Sequence, residues 1–219
     1  MSLSSYRHLF VPATDPAAPP LLLLHGTGGD EHDLVPFGQA LSPGSALLAP
    51  RGDVSENGAL RFFRRLAEGV FDLEDVRRRT NALADFLAAA VEHYDIDATR
   101  LLAMGFSNGA NIAATLLQLR PEALAGAMLL RPMVVFDQPA AAGSLTGRRV
   151  LIESGTLDPI VPGDHPPRLA ALLRAGGANV TLHVHSAGHG LTPADSEMAA
   201  RWLGARQSPT ADSKRGPGF

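Results

Sequence analysis

The chain of 219 residues contains no cysteine. That absence excludes disulfides, thiolate metal sites and a cysteine nucleophile together, and it fits a cytoplasmic location. Lysine is nearly absent too: among 19 basic residues only Lys214 is a lysine, and it lies in a polar tail. Schiff-base chemistry and a serine–lysine dyad both need a buried, ordered lysine. A serine nucleophile in this chain would therefore have to rely on histidine. Long apolar runs are missing as well. The densest, Leu21 to Leu24, is far too short to cross a bilayer, and the segment Met1 to Phe10, with Ser5, Arg7 and His8, carries no apolar stretch of the signal-peptide kind. A formal net charge of −3 offers no global basic field for nucleic acid. Arginines do cluster at Arg61, Arg64 and Arg65 and at Arg77 to Arg79, a pattern that reads first as solvated helix face.

What is present suits one domain with a substantial core: 45% of residues are apolar and 19% charged. The domain is expected over residues 1–206, with 207–219 a disordered polar tail. Short apolar runs at 20–25, 45–50, 100–105, 126–131, 148–153 and 179–185 read as strands, and 6–11 is a candidate seventh. Helical patterns lie between them at 31–41, 73–93, 108–119, 166–175 and 193–204. Strands alternating with helices in this way predict an α/β fold with a mainly parallel sheet of about seven strands and helices on both faces.

Gly105-Phe106-Ser107-Asn108-Gly109 matches G-x-S-x-G. With 22 glycines in the chain the pattern alone is weak. Its context strengthens it, because an apolar strand precedes it and an alanine- and leucine-rich helix follows. A sharp strand-to-helix turn needs small residues on both sides to close. It leaves Ser107 at a helix N-terminus, where free backbone N–H groups favour a developing negative charge. The bland reading makes Ser107 a helix cap in a glycine turn.

His25-Gly26-Thr27-Gly28-Gly29-Asp30 follows the first leucine-rich strand. Its glycines let the backbone approach a substrate, and the N–H groups of Thr27 and Asn108 would form an oxyanion hole. Neither the lysine of a P-loop nor the spacing of a dinucleotide-binding loop is present. His25 reads as a brace for this loop.

A nucleophilic serine needs a base, and the base an orienting carboxylate. Asp158, after the strand at 148–153, stands on the carboxyl edge of the sheet; Asp137, Asp164 and Asp195 are its rivals. His189, between two glycines after the last strand, is the candidate base. His183 and His185 share one face of that strand. A competing reading makes His183, His185 and His189 a zinc site, although no second group of ligands at suitable spacing is evident. Phe62, Phe63, Phe71 and Phe136 are candidates for an apolar rim or, equally, for the core. Arg61, Arg64 or Arg65 could read an acidic substrate.

These segments together resemble the bacterial carboxylesterase/phospholipase family of α/β-hydrolases, relatives of acyl-protein thioesterases and dienelactone hydrolases. The resemblance rests on the strand into His25–Asp30, on Arg61-Phe62-Phe63 through Phe71–Asp75, on Gly105 to Asn111, on Gly155 to Pro162 and on Gly188-His189. It implies an α/β-hydrolase fold, a Ser107–Asp158–His189 triad and carboxylic ester hydrolysis through an acyl-enzyme, with no cofactor or metal. Two departures stand out. Acyl-protein thioesterases usually have glutamine where this chain has Asn108, and dienelactone hydrolases use a cysteine nucleophile. With only residues 132–147 between two strands, no cap domain fits, so small to medium esters are the expected substrates. Competing functions on the same triad are an acyl thioesterase and a cofactor-free perhydrolase or haloperoxidase; a ligand-binding member without catalysis is another. The expected partners are a small-molecule ester and, beyond it, only a second copy in a homodimer.

Overall fold

A computed structural model describes residues 3–205. The polar tail expected over 207–219 lies outside the described residues. In chain order the elements are β1 (His8–Val11), β2 (Leu21–Leu24), α1 (Val35–Leu41), β3 (Leu47–Pro50), β4 (Val54–Glu56), β5 (Ala59–Arg61), β6 (Arg65–Ala67), β7 (Val70–Phe71), α2 (Leu73–Tyr94), β8 (Leu102–Phe106), α3 (Asn108–Leu119), β9 (Gly126–Leu130), β10 (Arg149–Gly155), α4 (His165–Ala175), β11 (Asn179–His185) and α5 (Pro193–Gly204).

Seven strands form one sheet in the order β1-β3-β2-β8-β9-β10-β11. β1 runs antiparallel to β3, and the remaining pairs are parallel. Parallel strands are covered on both faces, so they read as unbroken apolar runs; β2, four leucines, is buried throughout. Alternate residues feed two cores. Leu22, Leu24, Ala103, Leu129 and Ile152 face the layer that includes Val76, Leu83 and Phe86 of α2 and Ile112 and Leu116 of α3. Leu21, Leu23, Met104, Met128 and Leu151 face Ala199 and Trp202 of α5.

The expected strands and helices are all found, with one shift and one omission. The first helix starts at Val35 rather than residue 31, because Pro36 fits only a first turn and residues 31–34 form turns instead. The omission is the stretch between β3 and α2, which folds as two hairpins, β4–β5 and β6–β7. Asn57 and Gly58, with φ of 52° and 86°, make the tight turn of the first. An Asn-Gly pair between short strands is the strongest local hairpin signal. Residues 132–147 contain neither helix nor strand, so no cap domain covers the carboxyl edge there. Among the described residues no helix is long and apolar enough to cross a membrane.

Candidate active site

Ser107 sits between β8 and α3 with φ 52° and ψ −113°, a conformation L-residues rarely adopt and one typical of functional strain. Its N–H donates to the Leu130 carbonyl at 2.8 Å, and its own carbonyl accepts from Asn111 N–H at 2.9 Å. The flanking glycines are needed for space. A Cβ on Gly109 would overlap the carbonyl oxygen of Leu24, and one on Gly105 would overlap that of Gly109. Backbone atoms of three neighbouring elements thus enclose the turn and fix where the serine hydroxyl emerges.

His189 Nε2 lies 2.9 Å from Ser107 Oγ, and His189 Nδ1 lies 2.8 Å from Asp158 Oδ2. An ionised carboxylate only accepts, so Nδ1 carries the proton and Nε2 is free to accept from the serine hydroxyl. The Asp158 side chain is fully buried. Its second oxygen accepts from the N–H groups of Ile160 at 2.8 Å and Val161 at 3.1 Å, which fixes the carboxylate plane. The rival acids are engaged elsewhere: Asp137 and Asp164 pair with Arg168 near the surface, and Asp195 with Arg131.

Asn108 opens α3, so its N–H has no acceptor within the helix. Its side-chain oxygen accepts from Phe62 N–H at 2.8 Å, tying the turn to the hairpin segment. The Thr27 loop is held from two sides. Arg61 donates to the Thr27 hydroxyl at 2.6 Å, and Gly28 N–H donates to Leu60 O at 2.9 Å. His25 donates from Nδ1 to Gly26 O at 2.7 Å and accepts at Nε2 from Gly52 N–H at 2.9 Å. Burial lowers its pKa, keeping the ring neutral for that dual role. The expected bracing function of His25 is thus visible in its bonds.

A cavity of about 250 Å³ opens onto Ser107, His189, Thr27 and Asn108. Phe71, Phe106, Met133, Ile160 and Val161 supply apolar wall, and Arg61, Arg65 and Glu68 a polar rim. Of the expected rim aromatics only Phe71 lines this space. Phe63 is fully buried behind it, edge-on with ring centroids 5.6 Å apart. Phe136 packs in the core under the Arg77 guanidinium, 4.6 Å from its ring centre. Phe63 and Phe136 are therefore core residues, buried and outside the cavity lining. The arginine cluster is divided. Arg61, almost fully buried, pairs with Glu56; Arg65 pairs with Glu56 and Glu68; Arg64 turns outward to Asp72. Each guanidinium already has a carboxylate.

The three-histidine zinc arrangement does not form, since His189 faces Ser107. His183 and His185 stack on each other, ring centroids 5.0 Å apart, beside Glu153 of β10. Burial, with the Asp195 charge nearby, pushes the Glu153 carboxyl up to about 8.

Arg131 is a residue that sequence reasoning passed over as the end of a strand. It is completely buried and has φ 57°. Its guanidinium forms two bonds to Asp195, at 2.7 and 2.9 Å. It also donates to the carbonyls of Gly188 at 3.0 Å and Gly190 at 3.3 Å. It therefore grips the residues on both sides of His189.

A model of the dienelactone hydrolase family matches residues 63–213. The Bacillus subtilis (strain 168) protein MhqD is 43% identical over 182 residues, covering 83% of this chain and 90% of that protein. A crystal structure of the Bacillus cereus carboxylesterase superposes with a TM-score of 0.87 at 45% identity, over 90% of this chain and 93% of that one. A carboxylesterase from Mesorhizobium loti gives 0.86 at 32% identity, over 92% and 96%. The seven-stranded sheet is that of the α/β-hydrolase fold, and this member carries serine at its elbow and has no cysteine. The chain belongs to the dienelactone hydrolase family and is a hydrolase of the dienelactone hydrolase and carboxylesterase type.

Proposed function

We propose that this hydrolase cleaves small to medium carboxylic esters through an acyl-enzyme at Ser107. The observation that carries the reading is the unbroken relay Ser107–His189–Asp158, with contacts of 2.9 and 2.8 Å. His189 Nε2 takes the hydroxyl proton as Oγ attacks the ester carbonyl. The resulting oxyanion is stabilised by the N–H groups of Thr27 and Asn108, a device whose loss per donor costs ~3 kcal/mol in related chemistry. The imidazolium, held by the Asp158 carboxylate, returns the proton to the departing alcohol. Water then enters, gives a proton to His189 and attacks the acyl carbonyl; the collapse frees the carboxylic acid and regenerates Ser107. A cavity of about 250 Å³ with an apolar wall and no cap suits short acyl groups open to solvent at the alcohol side.

The test is labelling with a fluorophosphonate, followed by hydrolysis of p-nitrophenyl esters of increasing acyl length. A single adduct on Ser107 and turnover that falls as the acyl chain outgrows the cavity are expected. Wild-type protein that gains no mass and hydrolyses no ester would overturn the reading. Unchanged turnover in Ser107→Ala would remove the serine from it.

A further inference from the structure

Glu153, His183 and His185 form a second group of ligand-bearing side chains, none of which lines the Ser107 cavity. Strand pairing creates it. β10 and β11 run parallel with Glu153 opposite His183 and Gly155 opposite His185. Side chains alternate along a strand, so all three project to one face of the sheet. One donor atom from each lies within 4.8 Å of the others. His183 Nδ1 and Glu153 Oε2 are 3.3 Å apart, the edge length of a tetrahedron built on bonds of about 2.0–2.1 Å to a central zinc-sized ion.

His183 Nδ1 is also within hydrogen-bonding distance of Glu153 Oε2, but His185 is left without a hydrogen-bonding partner: neither of its ring nitrogens forms a hydrogen bond among the described residues. Glu153 is fully buried, and its carboxyl lies against that of Asp195 rather than against a cation. No arginine or lysine pairs with Glu153 among those residues, since Arg131, across on the end of β9, is occupied by Asp195. Buried polar atoms are ordinarily satisfied, and a cluster of them that is not points to a missing ligand. Asp195 Oδ1, 3.5 Å from His185 Nε2, stands where a carboxylate orients a metal-bound histidine. His183 retains 27% exposure of its side chain, which gives an ion a path in and leaves room for water as a further ligand.

We propose that Glu153, His183 and His185 bind a divalent transition-metal ion of the zinc class. Two imidazoles and one carboxylate favour such an ion over magnesium or calcium, which prefer oxygen ligands throughout.

The test uses full-length protein freed of any affinity tag and stripped with chelator. Equilibrium dialysis against Zn²⁺ should leave stoichiometric metal in the wild type, and Co²⁺ should give the visible absorption of nitrogen-coordinated cobalt. Glu153→Gln, which keeps shape, should weaken Zn²⁺ by more than about tenfold. His183→Ala with His185→Ala should abolish both the zinc and the cobalt band, with circular dichroism reporting that the fold persists. No stoichiometric zinc in the wild type would overturn the proposal. So would zinc retained equally by the wild type and Glu153→Gln, or Mg²⁺ competing on equal terms.

Discussion

Ser107 and His189 meet across the carboxyl edge of the sheet, yet the two sides hold their residues differently. On the serine side the constraint is steric. The elbow is pressed against backbone atoms of β2 and α3, and two positions admit only glycine. On the histidine side Gly155 is likewise pressed against the Ala187 carbonyl, but the added constraint is polar. Asp158 is seated by two N–H groups, and the Gly188–Gly190 segment hangs from the buried guanidinium of Arg131. A crowded backbone leaves a local signature, whereas a long-range polar clamp leaves almost none.

The largest expected effect tests whether the histidine side acts through charge rather than packing. Asp158→Asn preserves shape but not the acceptor that sets the imidazole tautomer. Its kcat on a p-nitrophenyl ester should fall by about 10⁴-fold with the melting temperature little changed. A fall below about tenfold would place the orienting carboxylate elsewhere.

The next concerns the clamp. Asp195→Ala strands the Arg131 charge in the interior, and breaking such a buried pair costs about 3–5 kcal/mol in denaturant titration. Replacing both, Arg131→Met with Asp195→Leu, should recover much of that stability, because no charge is then left buried. Activity should not recover. With Gly188 and Gly190 released, kcat should stay at least about tenfold low, while KM changes little. A double variant with full activity would reduce Arg131 from a positioning residue to a structural one.

The steric side is broken by a single methyl. Gly109→Ala forces its Cβ into the main chain of β2, where no flexible side chain can yield. Overpacking of this kind costs typically about 1–3 kcal/mol, and the loss here should lie at the top of that range. Activity should fall with it, because the elbow can open only by moving Ser107. Wild-type stability and turnover in Gly109→Ala would show that the turn is held by something other than crowding.

The same contrast governs what the chain reveals before folding. Apolar runs gave the strands, since a parallel sheet buries both faces. Gly105 and Gly109 exposed the elbow, and Asp158 and His189 were picked out by the strand ends within the acid-then-histidine order of α/β-hydrolases. The hairpins over residues 54–71 were hidden because their strands are two or three residues long, although Asn57-Gly58 announces the first turn. Phe63 and Phe136 could not be separated from Phe71 by composition, because core and cavity wall use the same side chains. Arg131 and the Glu153–His183 pairing depend on which strands lie side by side and in what register. No spacing along the chain encodes either.

The smallest expected effect extends the comparison to the Thr27 loop, which combines both kinds of restraint. Just beyond Asp30, the buried Glu31 pairs with Arg51 and with Arg7, the latter at 2.8 Å. Burial alone would raise its carboxyl, but hydrogen bonds and the two guanidiniums bring it down from 4.5 to about 2. A carboxylate whose folded pKa is depressed stabilises the fold fully above its unfolded value and loses that contribution as pH falls toward the folded one. The window is therefore roughly pH 4.5 down to 2. After discounting for the solvent around Arg7, the contribution is about 1–2 kcal/mol. Glu31→Gln should lower stability by that amount at neutral pH and flatten the acid limb of a stability-against-pH curve. An acid limb identical in wild type and variant would assign the acid sensitivity to other carboxylates and leave the Thr27 loop held by His25, Arg61 and its glycine backbone alone.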